Sequence, residues 1–256
     1  MKITVLTDNN SLIDRYYLAE PAFCLYIEEE RHKILFDTGY SDVFRINGEK
    51  MGIDFNEIDT IVISHGHNDH TGGLRYLSDL KQKIRFIAHP ECDEDKEYEG
   101  LDVSSPVKFS SLGSNFEKIL TDKVYNITGN LLFLGEIERK KQKVAPLDND
   151  ELHHDTALVY KGKDGIFIIT GCSHSGIINI CEYARKVTGI DHINGILGGF
   201  HMLGNEALNT EVCNYFKGQD IEVIYPCHCT DLKAKIALSK VVNVEETGVS
   251  TVLEIL

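Results

Sequence analysis

The order in which sequence patterns follow one another is repeated in the two halves of this 256-residue chain. In the first half a predicted hairpin ends in the small-residue turn "FDTG", and after a helical stretch the buried run "IDTIVISHGH" follows. In the second half a predicted hairpin ends in "ITGC", a helix follows, and "IDHINGILGGFH" completes the same order. A repeated order of elements indicates an internally duplicated unit. The sequence therefore predicts two similar halves, each with a sheet and covering helices.

Runs of β-branched and alternating residues predict the individual elements. In the first half we expect strands in "KITVLTD", "FCLYIEEERHKILFDTG", "IDTIVISH" and "KIRFIAHP", and helices around 40–51 and in "TGGLRYLSDL". The second half predicts a hairpin in "TALVYKGKDGIFIITGC", helices in "IINICEYARKV" and up to about residue 240, strands in "IDHINGILGGFH" and "IEVIYPCHCT", and closing strands in "VVNVEET" and "VSTVLEIL". Between them we interpret residues 91–150 as a variable insertion in a single domain of residues 1–256. It contains the acidic loop "ECDEDKEYEGLD" and short strands in "KFSSLG", "KVYNIT" and "NLLFLGEI".

Charge and composition argue against several functional classes. The formal net charge of -14 disfavours nucleic acid as a partner, because the field of the protein repels a polyanion. No apolar run approaches the roughly 20 residues of a membrane span, and the N-terminal segment "MKITVLTDNN" is too short and polar for a signal peptide. The seven cysteines are an odd number at irregular spacing, which predicts thiols in a reducing cytoplasm. The sequence leaves a homodimer open.

Histidines follow three of the predicted strands at equivalent points: His65, His201 and His228. In layered α/β folds the carboxyl ends of strands form the edge at which ligands bind. One such histidine would carry little weight, but three favour a shared site.

The segment "ISHGHNDHTGG" places three histidines and an aspartate within six positions. His65 and His67 project to the same side of an extended segment and can chelate one ion, while Asp69 and His70 can reach a second ion. Imidazole and carboxylate ligands suit Zn²⁺ first, with Fe or Mn as alternatives. Two ions roughly 3.5–4 Å apart can share an activated water. The sequence therefore predicts a centre of two divalent metal ions.

The H-x-H-x-D-H pattern after a hydrophobic strand, together with the upstream "FDTG", resembles the metallo-β-lactamase superfamily. "DTALV", "GIFIITGCSHSGIIN", "GILGGFH" and "PCHCT" resemble the branch that contains the dihydropterin-aminobenzene ribofuranoside phosphate synthase of methanopterin biosynthesis. The resemblance implies a fold of mixed α/β and α+β character: a four-layer αββα sandwich built from two pseudo-duplicated halves, with a dimetal site at one edge of the β layers.

The resemblance also implies roles for individual residues. His65, His67, Asp69 and His70 match the superfamily's metal-binding motif, and Asp69 is expected to orient the nucleophile as well. Asp37 matches the "DTG" turn, whose carboxylate accepts a hydrogen bond from a ligand imidazole and fixes its tautomer.

The other implied ligands leave alternatives open. Cys172 stands where most members of the superfamily have a bridging aspartate, so either its thiolate or the nearby His174 is a ligand. We favour His174, with Cys172 as a small packed residue beside the ligands. The third motif of the superfamily corresponds to His154, with Asp155 or His153 as substitutes.

At the last strand ends, we favour His228 as a ligand and His201 as a group that binds the anionic part of the substrate or carries a proton. Cys227 and Cys229 form a lone C-x-C without a second pair of suitable spacing, which does not favour a structural zinc site.

These observations predict a dinuclear metal-dependent hydrolase whose metal-bridged hydroxide attacks a small phosphorylated or carboxylated molecule, such as a phosphoester, thioester or lactone. A related pterin-forming reaction is a variant of this prediction. The alternatives are a non-catalytic metal-dependent metabolite-binding protein and a di-iron redox protein. The redox alternative is disfavoured because its members have Glu where this chain has His67. A nuclease is disfavoured by the acidic charge, and a secreted β-lactamase by the lack of an export signal.

Overall fold

The computed structural model describes residues 1–144 and 150–256. The chain divides into two compact units. Among the described residues, the first unit contains 1–122, 150–154 and 248–255, and the second unit contains 123–144, 155–247 and 256. The predicted insertion at 91–150 is therefore divided between the two units.

In chain order, the strands of the described part are β1 (Lys2–Thr7), β2 (Cys24–Glu29), β3 (His32–Phe36), β4 (Thr60–Val62), β5 (Ile84–Ala88), β6 (Glu97–Tyr98), β7 (Leu101–Asp102), β8 (Phe116–Leu120), β9 (Tyr125–Asn126), β10 (Leu131–Phe133), β11 (Ala157–Lys161), β12 (Ile166–Thr170), β13 (Ile193–Gly198), β14 (Ile224–Pro226) and β15 (Val252–Glu254). The helices are α1 (Val43–Lys50), α2 (Asn68–Thr71), α3 (Ile177–Thr188), α4 (Glu206–Lys217) and α5 (Leu232–Leu238). Short 3₁₀ turns occupy Phe55–Glu57, Gly72–Tyr76 and Phe109–Ser111.

The sheet of the first unit has the order β15-β1-β2-β3-β4-β5-β8. Strands β1 to β3 are antiparallel neighbours, whereas β3, β4, β5 and β8 run parallel. Leu35, Ile61 and Phe86 of these strands pack in one apolar core with Phe44 of α1. The parallel arrangement brings the carboxyl ends of β3 and β4 to one edge of the sheet, and the segments with Asp37 and the histidine cluster begin at that edge.

The sheet of the second unit has the order β14-β13-β12-β11-β10-β9. Here β12, β13 and β14 run parallel, so their carboxyl ends also share an edge. Residues of α3, α4 and α5, such as Ile180, Phe216 and Leu238, pack in one core with Ile168 and Ile196 of the strands. Each helix is amphipathic and covers the apolar face of the sheet.

Several local predictions were wrong. The segment "TGGLRYLSDL" was expected to open a helix after the histidine cluster, but α2 begins inside the cluster at Asn68 and changes into a 3₁₀ turn. Gly73 packs so closely that an added Cβ would lie 1.9 Å from the carbonyl oxygen of Thr38. This contact with neighbouring backbone, which sequence periodicity does not reveal, accompanies the tighter turn.

Two predicted strands also differ. "KFSSLG" contains a 3₁₀ turn rather than a strand, and the nearby strand is β8. In "VVNVEET", Val244 makes only an isolated bridge to Ile224, so no strand propagates there. No prediction from the sequence covered α4, which begins after Asn205, whose side chain accepts a hydrogen bond from the backbone N–H of Leu208. None of the helices in residues 1–144 and 150–256 is long and apolar enough to cross a membrane.

Candidate metal centre

The histidine cluster lies in the segment that follows β4 and leads into α2. His65, His67 and His70 are buried, whereas the side chain of Asp69 is 29% exposed. Three buried imidazoles in one turn need hydrogen-bond partners or ligands, because burying an unsatisfied polar group is costly. The neighbouring elements of the first unit supply some of these partners.

Asp37 connects β3 to this cluster. Its Oδ1 accepts the backbone N–H of Ser64 at 2.7 Å, and its Oδ2 accepts the Ser64 hydroxyl and His70 Nδ1, each at 2.7 Å. Its backbone has φ of 60°, a left-handed conformation that is uncommon outside glycine. Residues held in such conformations concentrate at functional sites. Asp37 is therefore a hydrogen-bond acceptor that is held in a fixed position next to the histidine cluster.

These bonds assign the tautomers of two imidazoles. The Ser64 hydroxyl donates its one proton to Asp37, so its oxygen accepts from His65 Nδ1, which lies 2.9 Å away. His65 Nε2 and, by the bond to Asp37, His70 Nε2 are then unprotonated, and the unprotonated imidazole nitrogen is the form that binds a metal. A hydrogen bond to the other ring nitrogen is the usual way in which proteins orient metal-binding histidines.

The available donor atoms are close together. His65 Nε2 and His67 Nδ1 are 3.1 Å apart, and His70 Nε2 is 3.6 Å from Asp69 Oδ2. The cluster thus presents imidazole nitrogens and one carboxylate oxygen from a single segment. This donor set fits Zn²⁺, Fe or Mn.

His154 has a different environment from the other histidines of the first unit. Its Nδ1 accepts the backbone N–H of Gly66, and its Nε2 donates to Asp150 at 2.9 Å. Burial lowers the pKa of His154 to about 4, against the opposing effect of Asp150, so the imidazole is neutral near pH 7. Both ring nitrogens are engaged in bonds that hold the H-x-H segment, which favours a positioning role over the ligand role considered from the sequence.

Asp150 was not identified from the sequence patterns. Its Oδ2 lies 3.4 Å from His67 Nε2 in addition to its bond with His154. Burial would raise the pKa of Asp150, but the hydrogen bonds from His154 and His67 hold it well below its ordinary value. An aspartate in the polar run "DNDELHHD" gives no pattern by which it could be distinguished from its neighbours.

In the second unit, the segments after β12, β13 and β14 bring further ligand-type residues together. The rings of His174 and His201 have centroids 4.4 Å apart. The ligand atoms of Cys172 and His228 lie within 4.8 Å of each other. His201 and His228 therefore each lie near Cys172 in this unit, and His174 lies beside His201.

Cys229 completes this group and was not singled out as a ligand from the sequence. Its Sγ accepts the backbone N–H of His201 at 3.3 Å. Burial alone would raise the pKa of the Cys229 thiol, but Cys172 and the imidazoles of His201 and His228 hold it well below the ordinary value. Burial alone would lower the pKa of His201, but Cys229 raises it.

Asp155, considered above as a substitute for His154, lies in the second unit. Its Oδ2 accepts both the backbone N–H and the hydroxyl of Ser175, at 2.8 Å and 2.6 Å. Its Oδ1 is buried and has no hydrogen-bond partner among the described residues. Burial raises the pKa of Asp155, and the hydrogen bonds from Ser175 and from the backbone of His174 offset this rise only partly. The remaining substitute, His153, is not among the groups of potential metal ligands found in the described residues.

Comparison with known proteins shows which family and which solved structure this chain is similar to. The sequence model described as "Metallo-beta-lactamase superfamily" matches residues 18–228. A crystal structure of a metal-dependent hydrolase of the beta-lactamase superfamily is similar with a TM-score of 0.85 and 28% sequence identity, covering 99% of this chain and 98% of that chain. The superfamily fold predicted from the sequence is thereby confirmed.

Two proteins of Methanocaldococcus jannaschii are similar over nearly their whole length. One is an uncharacterized protein that is 34% identical over 261 residues, covering 94% of this chain and 95% of the relative. The other is 7,8-dihydropterin-6-methyl-4-(beta-D-ribofuranosyl)-aminobenzene-5'-phosphate synthase, 26% identical over 270 residues, covering 92% of this chain and 89% of the relative. The second relative supports the branch to which the sequence patterns pointed.

Proposed function

The chain belongs to the metallo-β-lactamase superfamily, and we propose that it is a metal-dependent hydrolase acting on a small anionic substrate. The observation that carries the proposal is the arrangement around Asp37. This single carboxylate orients His70 directly and His65 through Ser64, so that the Nε2 atom of each imidazole is unprotonated. A chain that used these histidines only for packing would not need both in one defined tautomer.

We propose His65, His67, Asp69 and His70 as the metal ligands of the first unit. When bound, divalent ions lower the pKa of water toward neutrality and stabilise negative charge that develops on the substrate. The partly exposed Asp69 carboxylate is the group of the cluster best placed to accept a proton from attacking water, since Asp37 is buried and already accepts three hydrogen bonds.

The prediction that His174 and His228 are ligands for the same two ions remains a prediction from the sequence. So does the count of two ions and the choice of Zn²⁺. Metal analysis of the single variants His174→Ala and His228→Ala tests it, because loss of a ligand typically lowers affinity for the ion it holds.

The substrate class is proposed from chemistry. Bound cations offset the acidic charge of the chain and would attract a phosphoryl or carboxyl group. Phosphoesters, thioesters and lactones all develop negative oxygen charge in their transition states, which such a site stabilises. The synthase among the relatives makes a pterin-forming reaction a variant of this proposal. We also propose that the chain acts in a reducing compartment such as the cytoplasm, because its seven cysteines are an odd number at irregular spacing.

The proposal is tested by measuring metal content by plasma mass spectrometry together with hydrolysis of bis-p-nitrophenyl phosphate, thioesters and lactones. We expect bound metal and turnover in the wild type, and a loss of both in Asp69→Ala. Asn68→Ala is a matched control, because the neighbouring side chain donates a hydrogen bond to the carbonyl oxygen of Asp102 and is not a ligand in this proposal. It should retain both properties.

Two outcomes would count against the proposal. Metal bound at full occupancy with no turnover of any of these substrate classes would favour the non-catalytic metabolite-binding alternative. A chain that takes up no metal when metal is supplied in excess would remove the chemical basis of the proposal.

A further inference from the structure

Three residues of the second unit converge from three different strand ends. Cys172 follows β12, His201 follows β13 and Cys229 follows β14. One ligand atom from each residue, namely two sulfurs and an imidazole nitrogen, lies within 4.8 Å of the other two. Cys172 is buried, and the other two residues are partly buried. Residues so distant in sequence meet here only because β12, β13 and β14 are parallel neighbours.

The backbone around the group packs closely against the Cys229 sulfur. A Cβ added to Gly199 would lie 2.4 Å from Cys229 Sγ and 2.7 Å from the carbonyl oxygen of Gly171. The segment after β13 can therefore run against the Cys229 sulfur only because residue 199 has no side chain. His201 itself has φ of 46°, a left-handed conformation that is uncommon for a non-glycine residue.

The donor atoms of the group also suit a cation. Cysteine sulfur and histidine nitrogen are the ligands that Zn²⁺ prefers in proteins. His201 Nδ1 is buried and has no hydrogen-bond partner in the described part of the chain. Buried polar atoms in native proteins are usually satisfied, so this nitrogen calls for a partner from outside the described residues.

We infer that Cys172, His201 and Cys229 form a thiolate-containing metal site that takes a borderline or soft divalent cation such as Zn²⁺. Two sulfurs and one imidazole nitrogen occupy three of the four tetrahedral positions that Zn²⁺ prefers, which leaves the fourth for water or another group. The inference gives His201 a ligand role in place of the substrate-binding role predicted from the sequence. It also replaces the structural C-x-C alternative, because the partner of Cys229 is Cys172 and not Cys227.

The test uses Co²⁺ and Cd²⁺ as probes on the full chain, purified anaerobically and kept reduced. Metal bound to thiolate gives a sulfur-to-metal charge-transfer absorption in the ultraviolet, which nitrogen and oxygen ligands do not produce. We expect this band in the wild type, roughly half of its intensity in Cys229→Ser, and none in the double variant with Cys172→Ser, because the intensity follows the number of metal–sulfur bonds. His201→Ala should require a higher metal concentration to reach the same band.

Cys227→Ser is the matched control, since Cys227 is also buried and lies two residues from Cys229. It should keep the full band. The inference would be overturned by the absence of a band in the reduced wild type, or by a band that persists in the double variant. A Cys172–Cys229 disulfide found by peptide mass spectrometry, with no band after reduction, would also overturn it and indicate a redox pair. Because sulfur coordination is the readout, failure here leaves the hydrolase proposal and its first-unit ligands untouched.

Discussion

Asp37 in the first unit and Asp155 in the second unit use the same local arrangement with different results. Both are completely buried, and each accepts the backbone N–H and the hydroxyl of one serine, Ser64 or Ser175. Asp37 distributes these bonds over both oxygens and also binds His70. Asp155 receives both bonds on Oδ2, while Oδ1 has no hydrogen-bond partner in the described part of the chain.

The difference shows what a buried carboxylate needs in order to orient a neighbour. At Asp37, three donors compensate the charge and the third is an imidazole whose tautomer becomes defined. At Asp155, the same serine contact is present and the backbone of His174 also stabilises the carboxylate, yet burial still raises the pKa of Asp155. The contact between an aspartate and a serine is therefore present in both units. Among the described residues, only the aspartate of the first unit is shown to orient an imidazole as well.

The largest effect is expected from removing the first carboxylate. Asp37→Ala leaves three buried donors without an acceptor and should lower the free energy of unfolding by about 3–5 kcal/mol. Asp155→Ala leaves the donors of Ser175 without an acceptor but also removes a buried carboxyl group whose pKa is raised, so we expect about 1–3 kcal/mol. Urea unfolding of both variants, each without metal, checks the comparison. Equal losses would mean that the bond to His70 contributes nothing to stability.

Removal of metal should have the next largest effect. A ligand at about 100 times its dissociation constant stabilises the folded state by about 2.7 kcal/mol, so a chelator should lower the melting temperature by several degrees. Mn²⁺, which prefers oxygen and nitrogen ligands, should restore only the contribution of the first-unit cluster, whereas Zn²⁺ should also restore that of the thiolate group. Thermal melts with each ion distinguish the two clusters. Complete restoration of the melting temperature by Mn²⁺ would contradict the expectation that the two clusters prefer different metal ions.

A more conservative exchange sharpens the contrast between the two aspartates. In Asp37→Asn the new amide N–H₂ must face a donor, because both carboxylate oxygens accept hydrogen bonds, and we expect a loss of about 1–3 kcal/mol. In Asp155→Asn the amide oxygen can serve Ser175 while the N–H₂ takes the position of Oδ1, so the loss should stay below about 1 kcal/mol. The midpoints of urea unfolding of the two variants measure these losses of stability. A larger loss in Asp155→Asn would show that Oδ1 has a partner that must donate to it.

The smallest effect is expected at a surface histidine, which provides a baseline for the clusters. His192 in the second unit contacts Asp220 and Glu222, which raise its pKa. Because the folded-state pKa is raised, the stabilisation is fully present below the unfolded pKa of about 6.5 and is lost as the pH rises through the folded value. His192→Gln should therefore show a small loss of stability in mildly acidic solution and none in alkaline solution, measured by urea unfolding at both pH values. A loss that is independent of pH would indicate a packing role.

The histidine cluster could be predicted from the sequence because its chemistry is local, and the role of Asp37 could be predicted because the "DTG" turn resembles a motif of the superfamily. The H-x-H-x-D-H segment carries four ligand-type residues in six positions, and the "DTG" turn ends a strand whose neighbour leads into the cluster. The sequence likewise predicted that His201 and His228 follow strands, and the structure shows that these strands, β13 and β14, are parallel neighbours. The tautomers of His65 and His70 needed the position of the Ser64 hydroxyl, which no pattern specifies.

The sequence by itself determined the superfamily, most of the strand-and-helix order and the local cluster, since these follow from periodicity and from motifs of a few residues. Only the tertiary structure decided which distant residues meet. Asp150 against His67, Cys229 against Cys172, and the unequal bonding of Asp37 and Asp155 all depend on contacts between segments far apart in the chain. Such contacts depend on strand pairing and close backbone packing, and these are properties of the folded chain as a whole rather than of any short segment.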